Sequence, residues 1–127
     1  MKTRLIKIND EITRTSAEII RQELSDPRIG EVVSVIRSDT TADLKTCKIY
    51  VSILGGEAEK EKTLSALQKA SGFVRKRIAE LINLRQTPEI KFVYDDSIEH
   101  GMRMRKLIEE VNQNRNEKGG NKDERDS

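Results

Sequence analysis

Apolar residues return every three to four positions in the first stretch of the chain: Leu5, Ile8, Ile12 and Ile19, widened by Ile20 and Leu24. That period predicts an amphipathic helix from about Thr3 to Leu24. Its outer face alternates in sign through Lys7, Glu11, Arg14, Glu18 and Arg21, at the spacings of weak surface ion pairs, and reads as a solvated face. Ser25-Asp26-Pro27 ends the helix, because proline disfavours helical geometry in the residue before it. The period then falls to two. Val32 to Ile36 is short and β-branched, and Lys45 to Leu54 alternates, with Cys47, Ile49, Val51 and Ile53 facing one way and Thr46, Lys48, Tyr50 and Ser52 the other. Turn-forming residues from Ser38 to Asp43 join the two, which predicts an antiparallel hairpin with one face free to stay wet.

Gly55-Gly56 closes the second strand, and Glu57, Glu59 and Glu61 open a second helical pattern with the negative charge a helix start favours. Leu64, Leu67, Ala70 or Ser71, Val74, Ile78 and Leu81 carry its buried face to about Leu84. Gly72 interrupts this pattern without breaking the stripe, at a cost of about 1 kcal/mol relative to alanine. Helical geometry puts Lys69, Gly72, Lys76 and Glu80 on the outer face. A kink at Gly72 bares backbone between two lysines and turns Phe73 into the core; on a straight helix Phe73 points near the basic side, within reach of a base.

Thr87-Pro88 breaks the chain, and Glu89 to Tyr94 forms a third strand with Ile90, Phe92 and Tyr94 on one face. A strand–helix–strand succession makes the second and third strands parallel. Asp95-Asp96-Ser97 offers caps for a last helix whose apolar members are Ile98, Met102, Leu107, Ile108 and Val111. Apolar residues vanish from Gln113 onward, and the remainder, with four basic and four acidic residues, reads as disordered. The expected class is therefore α+β, in the order α-β-β-α(kink)α-β plus a C-terminal helix. A three-stranded sheet carries helices packed on one face. Residues 1–112 form a single domain and residues 113–127 a charged tail.

Composition narrows the function more by exclusion than by assertion. Charged residues make up 36% of the chain and aromatics 3%, so the core is aliphatic. The net charge of +2 does not announce a nucleic-acid binder; the placement of charge has to. From Lys69 to Arg85, five basic residues (Lys69, Arg75, Lys76, Arg77 and Arg85) stand against Glu80 alone. Lys2, Arg4 and Lys7 add to them at the start of the chain, and Arg103, Arg105 and Lys106 in the last helix. Acidic residues gather elsewhere, at Glu57 to Glu61 and Asp95 to Glu99, a segregation that favours a phosphate-contacting face. Asp96, Glu99 and His100 resemble a metal site only loosely, since acids at a helix start are expected for capping. Cys47 occupies a core position, and the one histidine that could serve as its base, His100, sits in a different element, so the thiol reads as structural. A single cysteine excludes an internal disulfide, Met1 to Arg4 leads into a helix rather than a signal peptide, and no apolar run approaches membrane-spanning length. No phosphate-binding loop, metal-spaced cluster or activated serine occurs. The expectation is a soluble cytoplasmic protein that is not an enzyme and takes no cofactor, metal or small-molecule substrate.

The element order and glycine-interrupted helix are similar to the type II KH domain of RNA-binding proteins, although no two glycines lie three apart and the usual GxxG clamp is absent. Ala70-Ser71-Gly72 stands in its place. In Asp26-Pro27-Arg28-Ile29, Asp43-Leu44-Lys45 leading into Lys48 to Gly55, Ala70 to Arg75, Leu84 to Phe92 and Asp95 to Ile98, in that order, the chain resembles the ribosome-binding factor A family. The resemblance implies a KH type II-like fold. It also implies a bacterial assembly factor that binds the immature small (30S) ribosomal subunit and its 16S rRNA. Such a factor assists maturation of the rRNA 5′ end without cleaving it, serves growth in the cold and is a monomer when free. Ala70, Ser71 and Gly72 carry over as a modified KH clamp. Lys69, Arg75, Lys76 and Arg77 join them from their positions around the kink. The other class of function open to these residues is a protein–protein module whose basic face meets an acidic partner without RNA.

Overall fold

The computed structural model describes residues 2–119; the side chains at 2, 27, 98, 99 and 114–119, and all of 120–127, lie outside that description. The basic side chain expected at Lys2, the apolar one expected at Ile98 and the end of the expected tail therefore fall outside the described residues as well. The chain forms two compact units, Met1–Asp95 and Asp96–Ser127.

In the first unit, α1 (Lys2–Gln22) is followed by a short helix α2 (Pro27–Val32), strands β1 (Val33–Thr40) and β2 (Thr46–Ile53), helices α3 (Glu57–Lys69) and α4 (Ser71–Leu81), and strand β3 (Glu89–Tyr94). The sheet has three strands in the order β1-β2-β3, antiparallel between β1 and β2 and parallel between β2 and β3. Cys47, Ile49, Val51 and Ile53 of β2 and Ile90 and Phe92 of β3 are buried on one face. Against them pack Ile8, Ile12, Ile19 and Ile20 of α1, Leu67 of α3, and Val74 and Ile78 of α4. Burial raises the Cys47 thiol above its ordinary pKa, which suits a structural rather than a reactive cysteine. On the opposite face Lys48 is exposed, and the Arg37 guanidinium lies 3.7 Å from the centre of the Tyr50 ring.

Two local features depart from the sequence pattern. Asp26-Pro27 does more than end α1. The Asp26 carboxylate accepts from the Arg28 backbone N–H at 3.0 Å and proline takes the first helical turn, so α2 begins there and the strand expected from Val32 starts one residue later. β1 also continues through the polar run to Thr40, because a bulge between Val35 and Arg37 resets its facing. The bulge leaves Ile36 exposed and turns Ser38 and Thr40 inward. There the Thr13 hydroxyl donates to Ser38 Oγ at 2.8 Å, and the Thr40 N–H donates to Asn9 Oδ1 at 2.9 Å. The polar positions of α1 thus close an edge strand.

In the second unit, α5 spans Ser97–Gly119, its first turn closed by the His100 N–H donating to the Asp96 carbonyl at 2.8 Å. Met102, Leu107, Ile108 and Val111 are exposed. α5 extends past Gln113 into the stretch that composition reads as the tail. No helix among the described residues is long and apolar enough to cross a membrane.

Candidate nucleic-acid interface

The helical pattern around Gly72 divides into two helices, and the division falls at Ala70 rather than at the glycine. The Ala70 N–H is shared between the carbonyls of Ala66 and Leu67, at 3.0 Å each, which tightens the last turn of α3. Ala70 itself sits at φ −86°, ψ −2°, and its carbonyl accepts the first bond of α4 from the Val74 N–H at 2.9 Å. The Ser71 hydroxyl donates back to the Gln68 carbonyl at 2.8 Å, so a side chain replaces the helical bond at the end of α3.

Gln68 fixes this break to the sheet. Its Nε2 donates to the Phe92 carbonyl at 2.7 Å and its Oε1 accepts from the Phe92 N–H at 3.3 Å. β3 is an edge strand, and the amide stands in for a neighbouring strand at Phe92. Nothing in the hydrophobic period marks Gln68. Its signal is only a polar residue next to the buried position Leu67.

Gly72 is the second residue of α4 and is exposed. It is not among the residues at positive φ, and a Cβ built on it meets no atom within 4 Å. Neither backbone conformation nor internal packing calls for glycine here. α4 starts without a side-chain cap and with no acidic residue in its first turn.

The seven residues expected at the site divide by what they touch. Lys69, Gly72 and Lys76 are exposed, Ala70 and Ser71 are half-buried, and among the described residues Lys69 and Lys76 carry no ion pair. Arg75 is exposed but donates from Nη2 to the Thr87 carbonyl at 3.0 Å, which holds the loop before β3. Arg77 is committed further. Its Nε and Nη2 donate to Glu23 at 2.6 and 3.2 Å, and its Nη1 to Glu80 Oε1 at 2.6 Å. These bonds push the guanidinium pKa up and hold the Glu23 carboxyl below its ordinary range, through the hydrogen bond first and charge second. Arg77 therefore joins α4 to the end of α1. Arg85 lies beside Arg4 in a separate groove of about 120 Å³ with Leu5, Ile8, Ala42 and Leu44.

Phe73 overturns an expectation. It is 42% exposed rather than part of the core, because the break precedes it and α4 directs Val74 and Ile78 inward instead. Among the described residues, no group of three His, Cys, Asp or Glu side chains is placed to hold a metal ion.

Known proteins are similar to this chain in sequence and in overall fold. The family model described as ribosome-binding factor A matches residues 4–108. A ribosome-binding factor A from Lachnospira eligens is 46% identical over 110 residues, covering 87% of this chain and 85% of that protein. The crystal structure of ribosome-binding factor A from Thermus thermophilus superposes with a TM-score of 0.62 at 26% identity, covering 71% of this chain and 94% of that one. A homology model of the Thermus thermophilus factor, fitted into a cryo-EM map of a 30S–factor complex, gives 0.57 at 26% identity, with coverages of 69% and 91%. The family model spans residues 4–108, most of the chain, and so the chain belongs to the ribosome-binding factor A family.

Proposed function

We propose that this chain is a non-catalytic assembly factor that binds the immature 30S subunit, through 16S rRNA, at the face around the α3–α4 break. The observation that carries the reading is Gly72. It is a helical glycine that nothing inside the molecule requires, at an uncapped helix start, between two lysines that carry no ion pair among the described residues. A phosphate backbone fits that combination: the missing side chain permits close approach, and the lysines supply charge. The 30S complex of the Thermus thermophilus relative supports the choice of target. Contacts of this kind position a protein on folded rRNA by backbone and shape, without direct sequence readout.

Assistance in 5′-end maturation and in growth at low temperature rests on family membership. A deletion strain is expected to accumulate 16S rRNA with unprocessed 5′ ends and to grow slowly in the cold. Unaltered processing would remove that part of the reading.

Co-sedimentation with mature and immature subunits across a salt series tests the binding. The expected result is preference for the immature particle and an affinity that falls steeply with salt. Retention on subunits together with no affinity for protein-free rRNA fragments would replace the reading with a protein–protein contact.

A further inference from the structure

The chain has two phenylalanines, and the structure treats them oppositely: Phe92 is 2% exposed in the core, whereas Phe73 is 42% exposed three residues after Ala70. A single exposed phenylalanine is unremarkable by itself. This one borders an open groove of about 380 Å³, of the size small ligands occupy, lined by Glu23, Leu24, Ser25, Ala66, Lys69, Ala70 and Phe73. Leu24, Ala66 and Ala70 supply apolar surface, and Lys69 supplies charge at the rim. Glu23 is the one acid in the lining, and its carboxylate is bound by Arg77 at 2.6 and 3.2 Å, so the charge left at the groove is positive. Ala70, the residue before α4, lines the groove two positions ahead of Gly72. A partly apolar groove with an aromatic side chain on its wall thus lies at the α3–α4 break, with a lysine at its rim that carries no ion pair among the described residues.

We propose that this groove takes one unpaired RNA base, stacked on the Phe73 ring, with the adjoining phosphate at Gly72 and Lys69. The proposal rests on the rRNA-binding reading above and adds that the bound RNA is single-stranded at this point. An aromatic face accepts any base, and the slot offers few hydrogen-bonding groups to discriminate among them, so the contact is tolerant of sequence.

The test uses the full chain with labelled phenylalanine, observed by NMR while a short mixed-sequence single-stranded RNA is added, and separately the same RNA as a duplex. The single strand is expected to move the Phe73 ring signals and leave those of Phe92, an internal control, in place. Phe73→Leu is expected to weaken single-strand binding about 10-fold, Phe73→Tyr to keep it, and neither to change the slope of affinity against salt. The labelled wild-type measurement does not depend on any variant folding. Phe73 signals that stay still at the highest attainable RNA concentration, or that move equally with duplex, overturn the proposal. Lys69→Ala with Lys76→Ala separates the two levels. If that pair weakens 30S binding while the Phe73 ring is unmoved, base stacking falls and the clamp stands. If neither the lysine pair nor Phe73→Leu weakens 30S binding, both fall.

Discussion

The seam where the end of α1 meets α2 and α4, and the break between α3 and α4, belong to the same side of the sheet and use the same residue types in opposite ways. At the seam a Cβ on Gly30 would come within 2.9 Å of Arg21 Cα and 3.0 Å of Arg21 O, both backbone atoms, so glycine is what lets α2 lie on α1. Arg77 is used up there too, between Glu23 and Glu80. At the break Gly72 faces open space, and Lys69 and Lys76 carry no ion pair among the described residues. Glycine and positive charge serve cohesion in one region and are left facing outward in the other. The difference follows from what surrounds them, not from residue type. Arginine's planar fork suits the paired carboxylates of the seam, while lysine suits a phosphate whose exact position varies.

The largest contrast between the two regions is expected in binding. Lys69→Ala with Lys76→Ala should weaken 30S association and make the log-affinity against log-salt slope shallower by roughly two units, about one for each phosphate that no longer meets a lysine. Lys7→Ala with Arg14→Ala, an equal charge change on the polar face of α1, should leave that slope nearly unchanged in the same sedimentation series. Equal losses from the two pairs would reduce the break to net charge.

Gln68→Ala attacks the attachment of the break to the sheet. It leaves the buried Phe92 N–H and carbonyl without the amide, an expected loss of ~1–3 kcal/mol. Calorimetry should record this as a midpoint lower by ~4–8 °C for each kcal/mol. An unchanged midpoint would show that the break holds its place without Gln68.

Gly72→Ala sharpens the contrast with Gly30. With no atom in its way and no positive φ to strain it, the substitution is expected to raise stability by up to ~1 kcal/mol while weakening 30S binding. At Gly30 the same change meets backbone and should destabilise. Undiminished binding by a stabilised Gly72→Ala variant would remove close backbone approach from the site.

Smaller still is the acid response of the seam. The Glu23 pKa is lowered in the folded protein, so its ion pair contributes stability that is fully present above the ordinary value of 4.5 and lost as pH falls through the lowered one. Arg77→Ala should cause a modest fall in the thermal midpoint near neutrality and abolish Glu23's share of the acid-limb decline; it also frees the Glu23 carboxylate at the groove, so 30S binding should weaken, by less than in the lysine pair. Smallest is removal of everything after Asn112, which carries no apolar surface to offset ordering; the expected midpoint is that of the full chain.

Much of the fold is legible in the chain. The 3.6 period of Ile8, Ile12 and Ile19, the alternation of Cys47 to Ile53, and the strand between Pro88 and Asp95 each state a buried face locally, and the structure buries those faces. The start of α2 is local too, since Asp26-Pro27 pairs a capping carboxylate with a proline suited to a first helical turn, a signal that the same proline's role in ending α1 obscures. Of the candidate site, the position of the break region, its glycine and its basic character are all in the sequence.

What the sequence determined by itself was therefore the set of elements and their apolar faces, because helix and strand periods depend on neighbours within a few residues. Tertiary structure decided which charges are occupied and which side chains remain outside. Glu23 lies 54 residues from Arg77 and Gln68 lies 24 from Phe92, and no local pattern announces either pair. The same long-range packing set the break at Ala70 and left Phe73 at the surface. Such pairs form only once the helices are seated on the sheet, where direct hydrogen bonds take the place of water around groups that the unfolded chain keeps apart.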